Sequence, residues 1–294
     1  MKQRAIRSLG TPVSAVGLGG MPMSIEGRPD ERQSIATIHA ALEAGVTLID
    51  TADAYHLAAH DEVGHNEELI AKAVREFAGD TSAVLIATKG GHLRPEAGAW
   101  AQNGRPEYLK EAAKASAERL GVEAIGLYQF HRPDPAVPYA ESVGALAELL
   151  DEGVIRMAGI SNADPDQIRT ANDVLGGRLA SVQNQFSPSF RSSEPELELC
   201  DELGIAFLPW SPLGGIAKAA DLGTSVEEFA VIARERDVSP QVVALAWELH
   251  KSDVVIPIPG ASRPQSILDS VTAATVKLQP EDVARLDGSQ AASA

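Results

Sequence analysis

Cysteine and long apolar runs are nearly absent from this chain of 294 residues. Cys200 is the one cysteine, so no disulfide can form within the chain and nothing points to an oxidising compartment. No stretch of roughly 18 uncharged apolar residues occurs, and the opening letters MKQRAI do not begin an apolar signal segment. We therefore expect a soluble, cytoplasmic protein without a membrane anchor.

Positive charge is also scarce. The chain has 25 lysine and arginine residues against 41 aspartate and glutamate residues, which gives a net charge of -16. Because such a surface repels phosphate backbones and anionic lipids, we expect neither a nucleic-acid partner nor a membrane partner. Any anionic ligand then needs a local site made from backbone dipoles and a few placed cations.

What the sequence does contain is a regular alternation of short apolar runs with amphipathic stretches. This pattern predicts β/α units and a parallel sheet. Eight strands are predicted, with ends at Gly20, Asp50, Lys89, His131, Ile160, Gln183, Pro209 and Pro257. Eight such units fit a closed barrel better than an open sheet. We therefore predict the α/β class: a (β/α)8 TIM barrel with an N-terminal β-hairpin around residues 10–12, forming one domain over residues 1–294.

Capping residues predict where several helices begin and end. Aspartate, serine or glutamine followed by proline is typical of a helix start. This pattern occurs at Asp164-Pro165, Ser239-Pro240 and Gln279-Pro280. Glycine before an apolar run is typical of a helix end that leads into a strand. Such glycines are Gly45, Gly121, Gly153 and Gly204.

Four polar side chains lie at or just after the predicted strand ends. Asp50, Lys89 and His131 each close an apolar run, and Tyr55 follows Asp50 by five residues. A charged strand end is by itself more often solvated, but three of them converge on one barrel mouth, where catalytic groups are found. A lysine ammonium beside Tyr55 would favour the phenolate and so ease proton donation, with Asp50 holding Lys89 charged. His131 would donate a hydrogen bond to a substrate carbonyl oxygen.

A second set of residues suits a dinucleotide. Ser161, Asn162 and Gln183 place hydroxyl and amide groups at the same rim, where they could bind a carboxamide. Trp210 ends the next apolar run, and it fits either a ring stacked on a flat heteroaromatic group or a core residue.

Two further segments could bind phosphate groups. Ser211-Pro212-Leu213-Gly214 is followed by Gly215, and this run offers backbone N–H groups to a pyrophosphate. Gly260, Ser262 and Arg263 lie where a helix begins, and we assign the Arg263 guanidinium to the 2′-phosphate of NADP. No G-x-G-x-x-G motif follows a strand, so a Rossmann site is disfavoured.

One loop is rich in possible metal ligands. It contains His56, His60, Asp61, Glu62 and His65. Their spacing fits no standard ligand pattern, so we expect no metal and interpret the segment as a hydrophilic loop at the substrate entrance.

Several of these motifs together resemble a known family. Residues 45–55, GVTLIDTADAY, resemble the first signature of the aldo-keto reductase superfamily, and later blocks follow in the family's order. Those blocks are residues 87–89, 129–131, 159–162, 183–186, 210–214 and 258–263. The resemblance covers essentially the whole chain, and the terminal Ile-Pro-Gly block is similar to the bacterial and channel-subunit branches.

The resemblance implies a (β/α)8 barrel, NADP(H) as the cofactor and a specific set of site residues. The implied catalytic residues are Asp50, Tyr55, Lys89 and His131, and Asp50 is counted with the cofactor contacts as well. Ser161, Asn162 and Gln183 would contact the nicotinamide carboxamide, and Trp210 would stack where the family more often has tyrosine. At the adenine end Ser266 and Ser270 replace larger polar residues, so Arg263 and Asp269 are the favoured contacts.

Two functions stay open at this point. In the first, the protein reduces an aldehyde or ketone to an alcohol by hydride transfer from nicotinamide C4, with Tyr55 as the general acid. In the second, it is a cofactor-binding partner protein similar to the cytoplasmic β subunits of potassium channels; the acidic surface favours the enzyme. The candidate residues that line the substrate site are Met21, Met23, His56, His92, Trp100, Arg132 and Phe186. They do not choose among aromatic, sugar-like and pyridoxal-like carbonyl compounds, and the oligomeric state is not predicted.

Overall fold

The fold was derived from a computed structural model, which describes residues 2–6, 12–58, 60–96, 98–216 and 219–289. The strands are β1 (Gln3–Arg4), β2 (Val13–Ser14), β3 (Leu18–Gly19), β4 (Leu48–Asp50), β5 (Leu85–Gly90), β6 (His92–Leu93), β7 (Ala101–Gln102), β8 (Leu127–Phe130), β9 (Ala158–Ser161), β10 (Leu179–Gln183) and β11 (Ala206–Phe207). The helices are α1 (Glu31–Glu43), α2 (His65–Glu76), α3 (Pro106–Leu120), α4 (Tyr139–Asp151), α5 (Pro165–Val174), α6 (Glu194–Leu203), α7 (Leu222–Ser225), α8 (Glu227–Arg236), α9 (Pro240–Lys251), α10 (Pro264–Thr272) and α11 (Pro280–Gly288).

Seven parallel strands form one curled sheet in the order β11-β10-β9-β8-β5-β4-β3. The eighth predicted strand closes the cylinder through isolated pairings, Val255 with Phe207 on one side and Gly260 with Gly19 on the other. This segment is irregular because Pro257 and Pro259 have no N–H group to donate to a ladder. The predicted (β/α)8 barrel is confirmed, with its last strand reduced to bridges.

The N-terminal hairpin is also confirmed. β1 and β2 pair in antiparallel register, and Ile6 and Val13 are buried in the same apolar cluster as Leu48 and Leu85 of the barrel interior. The hairpin therefore packs against the amino-terminal end of the barrel. Its predicted turn at residues 10 and 11 lies outside the described residues.

The predicted helix ends agree with the structure. Asp164 accepts a hydrogen bond from the Gln167 N–H at 2.8 Å at the start of α5, and Ser239 caps α9 in the same way. The four glycines predicted at helix ends all have positive φ, between 64° and 85°. Within the described residues, no helix is long and apolar enough to span a lipid bilayer.

Candidate active site

A cavity of about 540 Å³ lies at the mouth formed by the carboxyl ends of the barrel strands. Most of the site residues predicted from the sequence line this cavity. They are Asp50, Tyr55, His131, Ser161, Asn162, Gln183, Trp210, Ser211, Pro212, Leu213 and Gly260. The barrel thus brings together residues that are more than 200 positions apart in the sequence.

Lys89 lies beneath the cavity, fully buried on β5. Its ammonium donates hydrogen bonds to Asp50 Oδ2 at 2.7 Å, to the Thr51 carbonyl at 2.8 Å and to the Tyr55 hydroxyl at 3.2 Å. Burial by itself would lower the pKa of Lys89, but the charges and hydrogen bonds of Asp50 and Tyr55 raise it overall. Lys89 therefore stays protonated at neutral pH.

The Tyr55 hydroxyl accepts a hydrogen bond from this ammonium, and only 7% of the Tyr55 surface is exposed. Burial raises the pKa of the phenol, and the positive charge of Lys89 opposes that rise. The ammonium acts in the direction predicted from the sequence, but the effect of burial is larger. The phenol is therefore protonated at neutral pH and available as a proton donor.

Asp50 is held by three side chains from other strands. Its Oδ2 accepts from Lys89, and its Oδ1 accepts from Gln183 Nε2 at 2.8 Å and from Gln129 Nε2 at 3.5 Å. Ser181 in turn donates to Gln129 Oε1 at 3.2 Å. Sequence reasoning assigned no role to Gln129. Its signal was a polar side chain two residues before His131, hence on the same face of β8.

His131 is buried and neutral. Burial, together with the positive charges of Lys89 and Arg132 and with His92, holds its pKa well below the ordinary value. Its ring meets the Tyr55 ring edge-on, with centroids 5.7 Å apart, and its Nδ1 has no hydrogen-bond partner among the described residues. A neutral imidazole carries one N–H, so His131 can donate a hydrogen bond to a carbonyl oxygen in the cavity.

A wall of flat side chains comes from the β6–β7 hairpin, which the sequence did not predict. The His92 ring stacks on the Trp100 ring at 4.6 Å and also contacts His131 at 4.9 Å. Behind it, the Arg94 guanidinium lies 4.9 Å from the Trp100 ring and pairs with Glu26. Burial lowers the pKa of His92 to about 4, so this imidazole is neutral at pH 7.

The predictions about substrate-lining residues are confirmed in part. Met21, His92, Trp100 and Arg132 line the cavity. Three others do not, and the prediction was wrong for them. Met23 is buried in an apolar cluster beside α1, Phe186 stacks on Trp247 at 5.5 Å, and the His56 carbonyl accepts a hydrogen bond from Arg94.

Hydrogen bonds connect the residues predicted to contact a nicotinamide. Asn162 donates to the His131 carbonyl at 3.0 Å and to Ser161 Oγ at 2.9 Å, and it accepts from Trp210 Nε1 at 3.2 Å. Trp210 is partly exposed and lines the cavity, so it is not a fully buried core residue. Asn162 has a φ of 56°, which is uncommon for a residue with a side chain and frequent at functional sites.

The segment after β11 also has unusual backbone geometry. Ser211, Gly214 and Gly215 all have positive φ, and Ser211 and Gly215 line the cavity. Gly214 itself is not part of the lining. Such turns point backbone N–H groups toward a shared space, which is the arrangement that binds anions.

The predicted adenine-end residues lie outside the cavity lining. Arg263 is the exposed N-cap of α10 and donates to Ser266 Oγ at 3.1 Å. Asp269 accepts from Ser239 at 2.6 Å, and the Ser262 carbonyl accepts from Gln33 at 2.8 Å. Their roles in cofactor binding stay predictions.

The described residues of the loop with possible metal ligands are not part of the cavity lining, and its interpretation as the substrate entrance stays a prediction. Arg28 holds Asp61 at 3.0 Å, and His65 Nδ1 lies 2.9 Å from Ser24 Oγ. Across the described part of the chain, no three histidine, cysteine or acidic side chains are grouped so as to hold a metal.

Comparison with known proteins identifies the family. The Aldo/keto reductase family profile matches residues 15–291, and the chain belongs to this family. It is 36% identical over 281 residues to an uncharacterized oxidoreductase of Schizosaccharomyces pombe, covering 94% of this chain and 86% of that protein. This confirms the resemblance seen in the sequence.

Solved structures agree with this assignment. A thermostable aldo-keto reductase in complex with the inhibitor epalrestat superposes with a TM-score of 0.81 at 27% identity, over 98% of this chain and 99% of that one. The glycerol dehydrogenase of Gluconobacter oxydans gives 0.81 at 27% identity, over 97% and 94%. Family and neighbours together support an oxidoreductase that acts on carbonyl groups.

Proposed function

We propose that this protein is an NADP(H)-dependent reductase of aldehydes or ketones, in which Tyr55 gives the proton to the carbonyl oxygen. The observation that carries the proposal is the position of the Lys89 ammonium, within hydrogen-bonding distance of both Asp50 and Tyr55 under the cavity. A protonated phenol, a neutral imidazole and a buried cation are the groups that a developing alkoxide needs close by.

The lining residues that follow β9, β10 and β11 fit a nicotinamide cofactor. A partly exposed indole at Trp210 offers a stacking face, while Ser161, Asn162 and Gln183 offer hydroxyl and amide groups for a carboxamide. The positive-φ run that begins at Ser211 would bind the pyrophosphate. Arg263 at the start of α10 would bind the 2′-phosphate. When bound, the cofactor supplies the hydride that reaches the carbonyl carbon.

The other groups position the reaction. His131 donates a hydrogen bond to the substrate oxygen and orients it toward the Tyr55 hydroxyl. Lys89 holds that hydroxyl in place, and Asp50 keeps Lys89 charged. Because one structural relative is a glycerol dehydrogenase, we propose that the site also catalyses the reverse reaction. A phenolate at Tyr55 would accept the hydroxyl proton of an alcohol, and an oxidised cofactor, when bound, would accept the hydride.

The proposal includes one domain and a small-molecule substrate. Support for one domain comes from the barrel closure, because the Gly19 N–H bonds to the Pro259 carbonyl at 2.9 Å and joins the first barrel strand to the last segment. A cytoplasmic location stays a prediction from the sequence.

Tyr55→Phe tests the proposal. We expect the turnover of a panel of small aldehydes, followed by NADPH absorbance, to fall by about 100-fold or more, because the phenol is the acid. The dissociation constant for NADPH, measured by tryptophan fluorescence, should stay within a few-fold of wild type. Tyr139→Phe is the matched control, since that buried hydroxyl on α4 lies outside the cavity and has no hydrogen-bond partner among the described residues.

Two results would contradict the proposal. Retention of more than about a tenth of the turnover by Tyr55→Phe would remove the phenol as the acid. Tight NADPH binding by wild-type protein without turnover of any carbonyl compound would support the cofactor-binding partner protein instead.

A further inference from the structure

Arg132 lines the cavity, and no described residue pairs with its guanidinium. It follows His131 at the end of β8, lines the cavity and is partly exposed. Within the described residues, its guanidinium makes no hydrogen bond and no ion pair. The nearest carboxylate along the chain, Asp134, instead accepts from the backbone N–H groups of Gly104 at 2.8 Å and Ala136 at 2.9 Å. Arg132 is therefore free to bind a ligand.

The charge of Arg132 is not compensated elsewhere in the cavity lining. Among the described lining residues the other charged group is Asp50, and Lys89 already neutralises it at 2.7 Å. His92 and His131 carry no charge at neutral pH because burial lowers the pKa of each. In a chain with a net charge of -16, the cavity thus has a local excess of one positive charge.

Arg132 lines the same cavity as the reacting groups Tyr55 and His131. Its positive charge adds to burial in lowering the pKa of His92 and His131, and it opposes the rise that burial causes in the pKa of Tyr55. Arg132 follows β8, next to β5 and the β6–β7 hairpin that carries Trp100. The residues assigned to the cofactor follow β9, β10, β11 and the closing segment. Because β9 pairs with β8 and Asn162 donates to the His131 carbonyl at 3.0 Å, the experiment includes the NADPH affinity of the Arg132 variant.

We propose that the cavity binds flat carbonyl compounds that carry a carboxylate, with Arg132 holding the carboxylate and the stacked His92–Trp100 pair covering the ring. This inference rests on the carbonyl reduction proposed above and specifies its substrate class. A guanidinium binds a carboxylate through two parallel N–H···O bonds, which fixes direction as well as charge. The aromatic wall beside it provides apolar surface for a planar group.

The kinetic test uses two aldehydes of the same shape, 3-formylbenzoate and 3-formylbenzamide, which differ by the charge. We expect wild type to prefer the carboxylate in kcat/KM. Arg132→Gln should reduce the carboxylate-over-amide ratio by roughly 10- to 100-fold, since a charge-assisted pair is lost. Arg132→Lys should give an intermediate ratio, because it keeps the charge but not the two-pronged geometry. Arg156→Gln is the matched control, since Arg156 is exposed just before β9, at the opposite end of the barrel.

An unchanged ratio in Arg132→Gln would overturn the inference, as would a weaker NADPH affinity that assigns Arg132 to the cofactor.

A binding measurement separates this inference from the proposed reaction. Isophthalate has two carboxylates and no aldehyde, so its binding to the NADPH complex by calorimetry needs no turnover, and isophthalamide is the neutral control. Isophthalate binding that is lost in Arg132→Gln supports the anion site even if no aldehyde is reduced, and binding that persists in the variant refutes it.

Discussion

Replacing Lys89 by methionine removes a charge on which both folding and chemistry depend. Methionine is about as long as lysine, so the change deletes the ammonium without opening a large cavity. Asp50, which is 4% exposed, then keeps only the amide hydrogen bonds from Gln183 and Gln129. Removal of one partner from a buried ion pair costs about 3 to 5 kcal/mol, because the remaining charge is desolvated and unpaired. We expect Lys89→Met to lose that much unfolding free energy.

A variant of a partly exposed ion pair provides the comparison for Lys89→Met. Lys110 pairs with Glu148 at the same 2.7 Å, but both side chains are partly exposed, at 30% and 58%. Such pairs are typically worth less than about 1 kcal/mol, so Lys110→Met should barely change stability. Because the folded-state pKa of Lys89 is raised, its contribution is complete at neutral pH and is lost only as pH rises through that pKa. Urea denaturation at pH 7 therefore measures it in full, and equal losses in both variants would refute the reasoning.

The same variant predicts a change in the pH profile. Lys89 lowers the pKa of Tyr55 against the larger effect of burial, so its removal should raise that pKa further. Carbonyl reduction uses the protonated phenol, so its alkaline decline should move to higher pH while the maximum rate falls. Alcohol oxidation uses the phenolate, so its alkaline rise should also move to higher pH. Profiles of kcat/KM over roughly pH 6 to 11 would show these shifts. An alkaline limb that stays at the wild-type pH would show that Lys89 does not affect the pKa of Tyr55.

Three further predictions test the cofactor site and the packing. Arg263→Ala should weaken NADPH by roughly 10- to 100-fold and NADH little, in fluorescence titrations, because a charge-assisted phosphate contact is lost; parallel curves for the two cofactors would contradict this. Gly90→Ala places a Cβ 2.0 Å from the buried Tyr128 hydroxyl, so it should lower the unfolding free energy by about 1 to 3 kcal/mol. Gly144→Ala is the control: its Cβ meets open space on α4, so the variant should gain about 0.5 to 1 kcal/mol. Glu248 is fully buried with no partner for either oxygen among the described residues, and burial raises its pKa well above the ordinary value, so it destabilises the fold increasingly as pH rises. Glu248→Met should therefore raise the unfolding free energy by about 1 to 3 kcal/mol at pH 7 and flatten its pH dependence. A lower unfolding free energy in the variant would contradict this reasoning.

The barrel and the strand-end groups were predictable because they follow from periodicity and topology. Parallel strands in a closed barrel place their carboxyl ends at one mouth, so Asp50, Lys89 and His131 could be brought together without coordinates. The position of the last strand was predicted from the sequence. Its irregular pairing was not predicted, although the sequence contains Pro257 and Pro259. Each of these prolines removes one ladder donor, which is a local rule that could have been applied.

The wall of flat side chains from the β6–β7 hairpin could not be predicted in the same way. The β6 and β7 strands have two residues each, too short for any alternation of apolar and polar residues to stand out. Arg94, which follows β6, pairs with Glu26 and donates to the His56 carbonyl, and both partners are distant from it in the sequence. Phe186 was predicted to line the cavity because it follows a strand end, but its ring packs outward against Trp247. Direction, not sequence position, decides which residues line a cavity.

The hydrogen bonds of Lys89 explain how a residue on a loop can act with precision. One goes to the Asp50 carboxylate at the end of β4, and the other two go to the loop that follows, to the Thr51 carbonyl and the Tyr55 hydroxyl. A side chain on a buried strand therefore fixes the path of the neighbouring loop. Loops are ordinarily the most mobile parts of a barrel, whereas a proton donor must be held close to the geometry in which it can transfer its proton. The ammonium supplies that restraint and the charge together, so no neutral side chain at this position can replace both functions.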